Sequence, residues 1–129
     1  VSDHWYQPFR QYNVAFWRHR EGSVRWPLWR VAVVEQSMEP TLSPGDWLLV
    51  RRSMRAGRPP AIRPGQIVIA QHPGRPGLLL AKRAVRRETG GWWLASDNPA
   101  AGAVDSGRFG PVPGPLIEGR VLFRYRRGR

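Results

Sequence analysis

The chain has 129 residues, 41% of them hydrophobic, which suits one domain with its own core. Lys plus Arg number 21 against 9 Asp plus Glu, so the net charge of +12 fits either a polyanion partner or an arginine-biased surface. The absence of cysteine excludes a disulfide framework, a thiol nucleophile and a cysteine-held metal. His4, His19 and His72 have no ligand spacing, so no metal and no other cofactor is expected.

Residues 1–30 differ from the remainder, with Trp5, Tyr6, Phe9, Tyr12, Phe16, Trp17, Trp26 and Trp29 among arginines. Pro8 can open a helix, and Phe9, Tyr12 and Phe16 then fall at helical spacing. The segment reads as a basic, aromatic N-terminal extension, helical or irregular, docked on the domain. In the alternative it lies on a membrane surface. No apolar run approaches the ~18 residues of a membrane span. No secretory signal is visible, so the expectation is a cytoplasmic protein, or one peripheral at the cytoplasmic membrane.

The domain proper is read over 31–129, as short apolar runs separated by the 14 glycines and 13 prolines. Strands are expected near 29–36, 46–52, 66–71, 78–87, 92–96 and 117–125. Between the first two runs lies Ser37-Met38-Glu39-Pro40-Thr41-Leu42-Ser43-Pro44-Gly45-Asp46, where Pro and Gly impose a turn. A serine at a strand end is well placed to project a hydroxyl, although Ser-x-x-Pro alone is also an ordinary turn. Residues 55–64 form a proline-rich loop, 73–77 a turn, and Glu88-Thr89-Gly90-Gly91 closes a hairpin. A long loop from Ser96 to Pro115 follows, and such loops usually carry function. The tail from Arg124 is basic and expected to be solvated.

Of the 21 basic residues only Lys82 is lysine. Lysine can lose its proton at accessible pH, which arginine cannot. Strand alternation puts Leu78, Leu80, Lys82 and Ala84 on one face and Arg83 on the other. An amine on that apolar face is desolvated, and lowering its pKa to ~7–8 costs roughly 3–5 kcal/mol. A lysine in a strand also commonly snorkels to water. Ser37 and Lys82 together suggest a serine–lysine dyad.

These stretches, in order, resemble the bacterial signal peptidase I family of serine–lysine proteases. Ser37 to Leu42 with Pro44-Gly45-Asp46 resembles the nucleophile box, and Lys82-Arg83-Ala84-Val85 the lysine box. Ser96-Asp97-Asn98 with Asp105-Ser106-Gly107-Arg108-Phe109-Gly110 resembles the last box, and 117–125 the closing strand. The likeness covers roughly residues 31–125. It implies a mainly β fold, a coiled and partly barrel-like sheet of the signal peptidase/LexA kind. It also implies Ser37 as nucleophile and Lys82 as general base. Oxyanion and site support would come from the backbone at Ser37 and Met38 and from Arg83, Ser96, Asp105, Ser106 and Arg108, with the charged residues forming an ion-pair network under the site. Four positions depart from the pattern, one of them Ser96, which stands where the familiar start of the last box has Gly. Glu35 stands where Gly or Ser is usual, Ala103 where the lysine-orienting serine is usual, and Gly107 is an extra residue. Ser96 or Ser106 could supply the missing hydroxyl.

Within the family, the short length and Gly90-Gly91-Trp92-Trp93 before Asp97-Asn98 resemble the nickel-type superoxide dismutase maturation proteases. That likeness implies a cytoplasmic endopeptidase that removes the N-terminal leader of a precursor, nickel superoxide dismutase, with no nucleic-acid partner. The alternatives are a signal peptidase acting on exported preproteins, with residues 1–30 touching the membrane, and a non-enzymatic basic β-domain that binds nucleic acid or peptide. A self-cleaving repressor ranks below these, since no helix-turn-helix segment precedes Ser37.

Overall fold

A computed structural model describes residues 3–5, 14–19, 27–53, 58, 60–101 and 104–128. Its strands are β1 (Asp3–Trp5), β2 (Val14–His19), β3 (Leu28–Val33), β4 (Trp47–Arg52), β5 (Ile67–His72), β6 (Arg75–Glu88), β7 (Gly91–Ala95) and β8 (Ile117–Arg126). A four-residue helix, α1 (Ser106–Phe109), lies between β7 and β8. Strand order is β1-β2-β3-β4-β8-β5-β6-β7, and every pairing is antiparallel. The order is linear, so the sheet is not closed. The mainly β expectation holds, and each strand expected from Trp29 onwards is present within a few residues.

The N-terminal extension requires a correction. The helical reading through Phe16 fails over Val14–His19, which is strand. Val14 pairs with Val33, Ala15 with Ala32 and Phe16 with Val31. β3 would otherwise present an edge of unpaired backbone groups, and β2 satisfies them. The remainder of the expected helix, Pro8 to Asn13, lies outside the described residues. Among the described residues no helix is long and apolar enough to cross a membrane.

The register of β5 and β6 explains the packing on both faces. Ile69 pairs with Ala81, while Val68 pairs with Lys82 and Ala70 with Leu80. Alternation therefore sends Ile69, Leu79 and Ala81 to one side, where they meet Val31, Leu48, Met38 and Leu42. Val68, Ala70 and Ala84 go to the other side, against Leu94, Val112 and Ile117. On that second side Leu78 and Leu80 are covered by Val104 and Phe109, so the residues around α1 roof the face that carries Lys82.

α1 owes its position to its cap. Asp105 accepts the Gly107 backbone N–H at 2.9 Å, and Gly110, at φ 79°, returns its N–H to Ser106 O at 2.8 Å. Ser106 is buried and its hydroxyl accepts the Leu94 N–H at 2.8 Å, which ties the helix to β7.

Candidate active site

The loop between β3 and β4 is closed at its base. Val33 N–H donates to Asp46 O at 2.9 Å, and Gly45 N–H donates to Val33 O at 2.8 Å. Within it, Leu42 N–H reaches Met38 O at 2.9 Å, and Ser43 N–H reaches the Asp46 carboxylate at 2.9 Å. Buried Met38 and Leu42 anchor the loop in the core, and the Glu39–Pro40 peptide is cis. These ties hold Ser37 at the start of the loop, 8% exposed.

Asp46 also binds the end of the chain. Its carboxylate accepts from Gly128 N–H at 2.7 Å and from Arg124 at 3.2 Å. Burial pushes this carboxyl up, but hydrogen bonds from Ser43, Gly128 and Arg124 outweigh burial and hold it below its ordinary range. The tail expected to be solvated is thus fastened, as far as Gly128, to the loop that carries Ser37.

Lys82 is 1% exposed and lies among the largest fully buried side chains. Its Nζ donates to Ser96 Oγ at 2.8 Å. The β6–β7 register pairs Arg83 with Ala95, so the following residue, Ser96, lies opposite Lys82 and on the same face. Burial lowers the lysine pKa to about 8, against the opposing fields of Asp105 and Glu35. Glu35 stands two residues before Ser37 and is exposed.

Residues 96–98 link the two candidate groups. Ser96 holds the lysine through its hydroxyl, and its N–H donates to Asp105 Oδ2 at 2.9 Å. Asp97 accepts from Arg83 at 2.5 Å and from the Thr41 hydroxyl at 2.6 Å, while its N–H reaches Met38 Sδ at 3.4 Å. Asn98 donates its backbone N–H to Ser37 O at 2.9 Å and its side-chain amide to Gln36 O at 3.0 Å. Burial raises the Asp97 carboxyl, and the bonds from Arg83 and Thr41, with the arginine charge, more than reverse it. The bond that Arg83 donates to Asp97 in turn raises the Arg83 pKa.

The structure therefore brings Ser37, Met38, Lys82, Arg83, Ser96 and Asp105 into one connected region. Two other expected site residues stand apart. Ser106 Oγ accepts the Leu94 N–H, whereas the lysine amine donates to Ser96. Arg108 is exposed and has no ion pair among the described residues. On so short a helix, Ser106 and Phe109 face the sheet three positions apart and Arg108 turns outward. The ion-pair network expected of Arg83, Asp105 and Arg108 is instead Arg83–Asp97–Thr41, and Asp105 is satisfied by backbone N–H groups. Ala103 lies outside the described residues. Among those described, no group of three His, Asp or Glu could hold a metal ion.

Thr41, Asp97 and Asn98 are site residues that the spacing analysis did not single out. Asp97-Asn98 stood within the last box and Thr41 within the nucleophile box, so the signal was present without a role attached.

A buried amine near neutrality, hydrogen-bonded to a hydroxyl and tied to a serine-bearing loop, is an arrangement suited to peptide hydrolysis. Residues 25–108 match the model of the Peptidase S24-like family, and the chain belongs to that family. It is similar to mitochondrial inner membrane protease subunit 1 of Mus musculus and of Xenopus tropicalis. Each is 32% identical over 108 residues, covering 68% of this chain and 63% of the relative. The Homo sapiens protein of the same name is 31% identical over the same length. The chain thus spans a little under two thirds of the length of these relatives.

Proposed function

We propose that the protein is a serine endopeptidase in which Ser37 is the nucleophile and Lys82 the general base. The observation that carries this reading is the burial of the only lysine, 1% exposed and bonded to Ser96, on the segment that also bonds the Ser37 carbonyl. With a pKa of about 8, about a tenth of Lys82 is neutral at pH 7. Neutral Nζ takes the Ser37 hydroxyl proton as Oγ attacks the scissile carbonyl. Backbone N–H donors at Ser37 and Met38 receive the oxyanion. The Lys82 ammonium then protonates the leaving amine, and water, deprotonated by Lys82, hydrolyses the acyl-enzyme. Ser96 holds Nζ in one direction throughout, and Asp105 holds Ser96.

The substrate we propose is a precursor with an N-terminal leader, specifically nickel superoxide dismutase, in the cytoplasm. The resemblance around Lys82 to Asn98 supports this choice. The test is mass spectrometry of that precursor after incubation with wild type, Ser37→Ala and Lys82→Arg. The proposal expects one leader removed by wild type only. Cleavage by either variant contradicts the assigned dyad, and no cleavage by wild type removes this substrate.

A second reading places the same chemistry on preproteins at a membrane. The names of the relatives favour it, as do the exposed Leu122, Phe123 and Tyr125 on β8. Cosedimentation with anionic liposomes distinguishes the two, since only the second reading expects the protein in the pellet.

A further inference from the structure

The segment after β7 does more than support the lysine. Asn98 grips two consecutive carbonyls, those of Gln36 and Ser37, and these are the two peptide units whose N–H groups belong to Ser37 and Met38. The side-chain amide donates to Gln36 O at 3.0 Å and the backbone N–H donates to Ser37 O at 2.9 Å. Gln36 O also accepts the Glu39 N–H at 3.2 Å, which sets the turn through Ser37. Both peptide units are trans, the cis bond of this loop being Glu39–Pro40. In a planar trans peptide the C=O and N–H point in opposite directions. A carbonyl held by Asn98 therefore aims the N–H of the same unit away from Asn98, and it cannot turn while the bond persists.

We infer that Asn98 is a positioning residue for the oxyanion donors, fixing the peptide planes that present the Ser37 and Met38 N–H groups to the reacting carbonyl. This rests on the reading of Ser37 as nucleophile. Asn98 touches neither the lysine nor the substrate in this account and acts through the backbone alone. Asparagine suits the task because one residue offers two donors in a fixed relation, and its neighbour Asp97 is locked by Arg83 and Thr41. Oxyanion donors work in the transition state more than in the ground state, so loosening them lowers kcat and leaves KM nearly unchanged.

The experiment is steady-state cleavage of the nickel superoxide dismutase precursor by wild type, Ser37→Ala, Asn98→Ala and Asn98→Asp, with thermal unfolding of each. Asp keeps the shape and the backbone N–H but puts a carboxylate against the Gln36 carbonyl. Both Asn98 variants are expected to stay folded and to lose about tenfold to a hundredfold in kcat, with KM within about threefold. The pH at which Asn98→Ala reaches half its maximal rate stays at the wild-type value, because the lysine is untouched. Wild-type kcat in Asn98→Asp overturns the inference and leaves the dyad standing, since the side chain then only fills space. A shifted pH midpoint in Asn98→Ala also overturns it, by placing the effect on Lys82. Cleavage by Ser37→Ala overturns the underlying reading of Ser37 as nucleophile, and failure of wild type to cleave removes this precursor as the substrate.

Discussion

Replacing Lys82 with methionine should abolish activity and stabilise the protein at neutral pH. Holding the amine at about 8 instead of 10.5 costs about 3 kcal/mol wherever the lysine is charged in both folded and unfolded chains. Lys82→Met removes that cost and fills much the same volume with apolar atoms. It also deprives Ser96 Oγ of its donor, a loss of about 1 kcal/mol. The variant should therefore be about 2 kcal/mol more stable at pH 7, a rise in melting temperature of roughly 6–10 °C. The advantage depends on pH in a defined direction. Between about 8 and 10.5 the unfolded chain keeps a proton that the folded chain has released, so wild-type stability rises with pH. Groups common to both proteins cancel in the difference. Urea titrations of the two proteins at pH 7 and pH 10.5 read the gap directly. It should be present at the first pH and closed or reversed at the second. A variant less stable than wild type at pH 7, or a gap independent of pH, would refute the claim that the fold bears an unfavourably buried amine.

Three further outcomes follow from the same geometry. Ser96→Ala removes the acceptor that favours the charged amine, so the midpoint of its rate-against-pH curve should fall below about 8 and kcat should drop about tenfold or more, while Ser96→Thr keeps both near wild type. Asp46→Asn weakens the bonds to Ser43, Gly128 and Arg124 and should cost about 2–4 kcal/mol in urea titrations at pH 7. Because the folded Asp46 pKa is depressed, its contribution is complete above the ordinary carboxylate range and lost as pH falls through the folded value, so the gap between the two proteins should narrow from about pH 5 downward. Gly91→Ala should destabilise by more than about 3 kcal/mol on thermal unfolding, since φ is 146° and a Cβ would lie 1.9 Å from Val112 O.

What could be read in the sequence was local. Apolar runs bounded by Pro and Gly marked β3 to β8, and the alternation at Leu78, Leu80, Lys82 and Ala84 marked the face on which the amine is buried. Strand β6 begins at Arg75, earlier than expected, because the turn is confined to Pro73 and Gly74 and Arg75 already pairs with His72. What escaped was either short or distant. α1 is one turn, too brief for any periodicity to show. The aromatic spacing through Phe16 imitates a helical stripe, whereas the strand there depends on the edge of β3. The bonds from Thr41 and Arg83 to Asp97, from Asn98 to Gln36, and from Gly128 to Asp46 join residues 14 to 82 positions apart. No local pattern encodes such pairs. The exchange of partners, with Arg83 meeting Asp97 and Arg108 turned outward, could be seen only once β7 and α1 were placed.

Burial of the lysine and the ties on the Ser37 loop describe one arrangement. The fold spends stability to hold an amine near neutrality, and residues 96–98 hold that amine and the serine backbone together. The central claim is that this amine is the base. It is tested most directly by initial rates of leader removal from the precursor, measured at subsaturating substrate from pH 6 to pH 10 with wild-type protein. Such rates report the protonation of the free enzyme. The account predicts activity that rises with pH along a single limb with its midpoint near 8. A midpoint near 6.5, in the range of an ordinary histidine, or a rate flat across this range, would contradict it.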